Sequence, residues 1–141
     1  MKYFFALVIL VYISRNTIAQ SGSIIIKPSD NLKTVLENID ENSSVHIKAG
    51  IYYAENIRLY NKQNIIISAD SGTIIIKQHF DCSDFIEVIK CSDIKISGLT
   101  LLYVTKIEDN NQVNCGRGIK VLNSENIIIS ETIWRTIKTF S

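Results

Sequence analysis

Arg117 stands between Gly116 and Gly118. A planar guanidinium flanked by two residues without side chains is suited to grip a carboxylate through two parallel hydrogen bonds, as an acidic sugar would offer. The same Gly-Arg-Gly is also ordinary composition for a turn entering a strand. Upstream, the carboxylates Asp81, Asp84, Glu87 and Asp93 lie close in sequence. A hard cation such as Ca²⁺ takes several oxygen ligands, and Asp81 with Asp84 would begin such a site. Carboxylates in turns are equally at home with no ion, and the spacing is not that of an EF-hand. Glycoside hydrolysis would need two carboxylates facing each other at a set separation, and no such pair can be nominated. The two histidines, His46 and His79, are too few and too far apart to hold a metal by themselves, and Cys82, Cys91 and Cys115 lack zinc spacing.

These groups need elements to position them. The chain has 141 residues, enough for one domain, and is 46% apolar with one proline, which argues for a packed core. Fifteen basic and 14 acidic residues are interspersed to a net charge of +1, so neither a nucleic acid nor a charged membrane surface is an expected partner. The first residues follow an export pattern. Lys2 precedes an apolar run from Phe4 to Ile13, then Ser14-Arg15-Asn16, then Thr17-Ile18-Ala19 with small residues at the −3 and −1 positions. Residues 1–19 are therefore expected to be a secretory signal peptide cleaved before Gln20, its run being short for a membrane span. The mature chain is expected outside the cell, with no membrane association.

Residues 20–44 read as a short strand, Ile24-Ile25-Ile26, ended by Pro28, and one amphipathic helix near 30–40. Ser29 or Asp30 is expected at its N-cap, and Leu32, Val35, Leu36 and Ile39 fall on one face. From residue 45 to 141 the chain is short Ile/Val/Leu-rich strands, and three stretches share one pattern. Ile57–Ser68, Ile86–Ser97 and Ile119–Ser130 align without gaps as I-x-(L/V)-x-(N/K)-x-x-(N/D)-I-x-I-S, 29 and then 33 residues apart. In each copy two short strands direct alternate residues inward, and the joint carries Asn64, Asp93 or Asn126, residue types that tolerate a left-handed backbone. Repetition at this period predicts coils that stack equivalent strands in parallel. Ile65, Ile94 and Ile127 should then point inward in one row. Arg58, Glu87 and Lys120 occupy one outward position, an alternating-sign ladder that would serve either to support itself or to bind an acidic sugar or a cation. Among the aromatics, Tyr52 is expected to pack at a turn, and Tyr60 and Tyr103 to flank a groove.

The stretch Asn31–Ile39, followed by Ser44–Ile57 with Gly50, Tyr52 and Glu55, resembles the opening of the pectate-lyase-like superfamily, whose members fold as right-handed parallel β-helices. Members commonly begin with a helix capping the stack and then a Pro-x-Gly-x-Tyr-x-Glu turn. Here the proline is replaced, since Lys48-Ala49-Gly50 stands in its place. The resemblance spans Ser23 to about Ile133 and implies an all-β, right-handed parallel β-helix with an N-terminal capping helix. It implies an extracellular protein that acts on polysaccharide as a lyase or hydrolase; a non-catalytic surface, adhesion or carbohydrate-binding protein is the alternative. For Arg117 it implies proton abstraction beside a substrate carboxylate, and for Asp81 and Asp84 a Ca²⁺ site in the full-length protein; no other cofactor is expected. Family members carry more coils, and Trp134–Phe140 departs from the repeat where a turn would come, so a chain truncated at its C-terminus is expected. Asn42-Ser43-Ser44 is a glycosylation sequon in a eukaryotic host, with Asn42 as acceptor.

Cys82 and Cys115 are 33 residues apart, the spacing of the second and third copies. They should fall at equivalent points of adjacent coils, about 4.8 Å apart, within the Cα separation a disulfide spans. An oxidising compartment would let them join, constraining the unfolded chain by about 3–4 kcal/mol. Cys91 is left over, because its counterpart is Ser124. Peptide mapping under non-reducing conditions should recover the Cys82–Cys115 pair, and a bridge to Cys91 would refute the register.

Overall fold

The computed structural model describes residues 22–77, 83–106 and 118–139. Arg117, Asp81, Cys82, Cys115 and residues 1–19 lie outside them. Twelve strands and one helix occupy the described residues: β1 (Ser23–Ile26), α1 (Leu32–Glu37), β2 (Ser44–Ile47), β3 (Gly50–Tyr53), β4 (Ile57–Tyr60), β5 (Gln63–Ala69), β6 (Thr73–Lys77), β7 (Ile86–Ile89), β8 (Ser92–Ser97), β9 (Thr100–Lys106), β10 (Ile119–Leu122), β11 (Glu125–Ser130) and β12 (Ile133–Thr139). The fold is all-β with parallel sheets. Strands β1-β2-β5-β8-β11 form the first sheet, β3-β6-β9-β12 the second and β4-β7-β10 the third. From β2 onward the chain visits the first, second and third sheets in turn, then repeats the cycle.

Register follows the repeat. Ile65 pairs with Ile94 and Ile94 with Ile127 in the first sheet, while Ile57, Ile86 and Ile119 form a row in the third. Alternation explains the burial: in β4, Ile57 and Leu59 are inside while Arg58 and Tyr60 are outside. Inward rows from all three sheets meet in one core that also takes Leu32, Leu36 and Ile39 from α1 and the segment after it. In the last turn, Val121 and Ile129 are exposed although their register partners Val88 and Ile96 are buried. Strands β10 to β12 have a neighbour on one side only.

The corners use the left-handed backbone. Asn64, Asp93 and Asn126 have φ of 51°, 56° and 54°, as their residue types led us to expect. Asn61, Lys90 and Asn123, which begin the same corner, share that conformation at 52°, 54° and 49°. Each turn between the third and first sheets thus bends on two left-handed residues, one of them a lysine that has no side-chain reason to favour it. The chain lengthens mainly at one other corner, from second to third sheet: 3 residues (54–56), then 8 (78–85), then 12 (107–118). This is why the copies are 29 and 33 residues apart, whereas the first turn, from Ser44 to its partner Ile66, takes only 22.

Three expectations need correction. Asn31 is the N-cap of α1, its Oδ1 accepting from Thr34 N at 2.9 Å; Asp30 is occupied closing the Pro28 turn, where Oδ2 accepts from Lys27 N at 2.8 Å. The segment at Gly50 is strand β3 as well as a bend, and Gly50 is obligatory there: φ is +148° and a Cβ would come within 2.4 Å of Pro28 Cγ. Residues 133–139 continue the fold as β12, paired with β9, where a departure was expected. Its register puts Trp134 in the inward row of Tyr52, Ile75 and Leu101 and turns Ile133 outward, so its apolar positions do not match those of the copies.

Ile94 is flanked on both sides within its row and is 1% exposed, whereas Ile127 is only half-buried. Ile94→Ala should lower the unfolding free energy by about 2–5 kcal/mol and Ile127→Ala by distinctly less, measured by urea denaturation. Equal losses would contradict this stacking order.

Candidate functional site

The outward face of the third sheet carries two parallel rows. Arg58, Glu87 and Lys120 are register partners, and beside them run Tyr60, Ile89 and Leu122. Residues two apart on one strand stand about 6.6 Å from each other, so a charged row runs alongside an aromatic and aliphatic one. The ladder is ion-paired as its alternating signs require. Glu87 Oε2 accepts from Arg58 Nε and lies against Nη2, both at 2.9 Å, while Lys120 Nζ is 3.7 Å from Glu87 Oε1 and 3.7 Å from Asp84 Oδ2. Arg58 is well exposed, so the pairing contributes at most about 1 kcal/mol to stability. The backbone N–H of Arg58, on the edge strand β4, donates to Glu37 Oε1 of α1 at 2.9 Å.

Tyr60 is half exposed, and Lys90 reaches it, with Nζ 3.3 Å from the phenol oxygen and 5.6 Å from the ring centroid. Next to it a shallow depression of about 450 Å³ opens at the corner, lined by Lys90, Cys91, Ser92, Asn123, Ser124 and Glu125. Cys91 is a free, buried thiol at its floor, with Lys62 N 3.4 Å from the sulfur. Ser124, its counterpart, donates from Oγ to the Leu122 carbonyl at 2.8 Å and accepts from Cys91 N at 3.0 Å.

Other nominated residues fall elsewhere. Tyr103 does not flank a groove: it is 3% exposed, edge-on to Phe85 at 6.4 Å between ring centres, because its register position in β9 faces inward. Tyr52 packs at the first bend, where its hydroxyl donates to the Lys48 carbonyl at 2.8 Å with the Ile26 carbonyl at 3.2 Å; burial, with Asp30 and Asp70 nearby, pushes its phenol up. Asn42 is exposed with φ of 59°, its Oδ1 accepting from Asn64 Nδ2 at 3.0 Å, which leaves its own amide nitrogen for other use. Asp84 is buried, and its Oδ1 has no hydrogen-bond partner. Lys120 Nζ is shared between Asp84 and Glu87, and Asp81, nominated with Asp84 for Ca²⁺, lies outside the described residues.

A second polar cluster, on the outward face of the first sheet, escaped sequence reasoning. His46 of β2 is the register partner of Ser68 in β5, with Nδ1 3.0 Å from Ser68 Oγ. Its Nε2 is 2.7 Å from Asp70 Oδ1, and Lys48 Nζ is 3.5 Å from Asp70 Oδ2. The available signal was a period of 22, shorter than the 29 and 33 of the repeat.

Comparison with family models, curated proteins and solved structures finds no match to this chain. Among the described residues no helix is long and apolar enough to cross a membrane.

The His46 hydrogen bond, aided by Lys48 and the Ala49 N–H and opposed by desolvation, holds the Asp70 carboxyl below the ordinary Asp value. A carboxyl lowered on folding stabilises the native state fully above the unfolded value, about pH 4, and loses that contribution as pH falls through the lowered native value. Wild type should therefore exceed Asp70→Asn in melting temperature at pH 6 by a margin that shrinks below pH 4. A margin of the same size at pH 6 and pH 3 would exclude the linkage.

Proposed function

We propose that this chain is an exported right-handed parallel β-helix protein of the pectate-lyase-like kind, capped by α1, that engages polysaccharide along its third sheet. The observation that carries the reading is the pair of outward rows there, Arg58–Glu87–Lys120 beside Tyr60–Ile89–Leu122. A sugar ring offers an apolar face and a rim of hydroxyls or a carboxylate. Tyr60 and Leu122, both exposed, suit the first; the guanidinium and ammonium groups suit the second, above all for uronic acids. Rows that run across successive strands suit a linear polymer, because equivalent groups recur about every 4.8 Å.

Several observations support the finer parts of the proposal. The cyclic visiting order of three parallel sheets is what a β-helix requires, and parallel crossovers are right-handed in about 98% of cases. Glu37 satisfies the edge N–H of Arg58 and Lys62 Nζ donates to the Ile39 carbonyl at 2.7 Å, which supports reading α1 and its exit segment as a cap on the stack. Export rests on the pattern of residues 1–19.

Affinity electrophoresis in gels containing polygalacturonate, alginate or a neutral glucan tests the proposal. Retardation should be strongest in the two polyuronates. Tyr60→Ala should weaken binding roughly 3–10-fold, the loss of about 1 kcal/mol of stacking, and Arg58→Ala should weaken it only in the acidic gels. Equal mobility in all gels would refute it. Ultraviolet absorbance from unsaturated products, abolished by Arg117→Ala, would identify the activity as that of a lyase.

A further inference from the structure

The cluster on the first sheet has the connectivity of a nucleophile, a base and an orienting acid. Asp70, ionised, can only accept hydrogen bonds, so the His46 nitrogen 2.7 Å from it carries the proton. In a neutral imidazole the other nitrogen then presents its lone pair to Ser68, whose Oγ at 3.0 Å is the donor. The Val45 carbonyl, 3.3 Å from the same Oγ, is the longer alternative. Asp70 is fixed in turn by Lys48 and by Asp70 N, which donates to the Ile47 carbonyl at 2.9 Å. His46 and Asp70 are each about one-third exposed, 34% and 37% by side chain, so a substrate reaches the face directly.

The same row supplies its own comparison. Ser97 is the register partner of Ser68, and Ser130 that of Ser97, with no histidine paired to either. Three serines share one outward row of one sheet, and a base faces one of them.

We infer that Ser68 is a nucleophile activated by His46 and oriented through Asp70, and that it attacks carboxylic esters presented on the open face of the first sheet. In the step, Ser68 Oγ bonds to the ester carbonyl carbon as its proton passes to His46 Nδ1. The C–O bond to the alcohol breaks, and the departing oxygen takes that proton. Water, deprotonated by the same nitrogen, then releases the carboxylic acid and restores Ser68. A positioned base of this kind supplies roughly 10²–10⁴-fold in rate, and the connectivity is that of the Ser-His-Asp arrangement met on unrelated folds.

The test uses the full chain with a fluorophosphonate, which forms a P–O bond to an activated serine as fluoride leaves, and with p-nitrophenyl acetate, which leaves an acetyl group. Labelled sites are mapped by peptide mass spectrometry. Ser68 should be modified at least tens of times faster than Ser97 in the same wild-type molecule. His46→Gln should bring Ser68 down to the Ser97 rate, about 10²-fold, and abolish the pH dependence of labelling. Asp70→Asn should slow it by a smaller factor. Equal modification of Ser68 and Ser97 overturns the inference, as does an unchanged Ser68 rate in His46→Gln. The wild-type ratio alone decides if that variant does not fold.

Discussion

When Ile65, Ile94 and Ile127 stand over one another on adjacent parallel strands, each covers the apolar surface of the next. Everything else in the structure depends on keeping that register. A slip of one residue would turn Ile65 and Ile67 to water and bring Asn64 and Ile66 inward. Parallel neighbours at about 4.8 Å place identical side chains in contact, so one repeated aliphatic position becomes a continuous row. Rows of this kind from three sheets, facing one another, make a core without any strand long enough to form one alone. A row closes only where both sides are covered, which is why Val88 is buried and its partner Val121 is not.

Register also controls what the outside can do. Because alternate residues face outward, Arg58, Glu87 and Lys120 are brought into one line by the same pairing that stacks Ile57, Ile86 and Ile119. His46, Ser68 and Ser97 are aligned likewise on the first sheet. Function on such a fold is a matter of which residue types fall at one outward position on successive turns. A change at one position meets a counterpart above and below it rather than a distant partner.

The corners make the stacking possible and carry the variation. Left-handed residues bend the chain between the third and first sheets at constant length, and Asn126 Nδ2 donates to Asp93 Oδ1 at 3.1 Å across two of these bends. The corner between the second and third sheets absorbs the added residues. Lys77, fully buried at the end of β6, ties it by donating from Nζ to Ser83 O at 2.6 Å and Asn56 Oδ1 at 3.2 Å. Gly98 marks a close approach at the remaining corner, between the first and second sheets: at φ of +78° a Cβ would come 2.6 Å from the Ala69 carbonyl oxygen.

The pattern I-x-(L/V)-x-(N/K)-x-x-(N/D)-I-x-I-S determined, by itself, six of the strands from β4 to β11, their inward faces, their pairing order and the left-handed corners at Asn64, Asp93 and Asn126. It could do so because each of these depends on residues close in sequence, or on positions one regular period apart. The ladder of Arg58, Glu87 and Lys120 was legible for the same reason. Tertiary structure alone decided the rest. Strand β12 puts Trp134 in register with the inward row of Tyr52, Ile75 and Leu101, types with no common sequence signature, and at the end of that row Trp134 stays half exposed. Tyr103 is buried rather than lining a groove because its position in β9 faces inward, where Phe85 of the preceding corner meets it edge-on. His46 reached Ser68 and Asp70 because the first turn is shorter than those after it, so partners 22 and 24 residues away fell outside the repeat. Period is a local property that a sequence displays, whereas the side chain waiting across a corner of different length is known only once the chain has closed the turn.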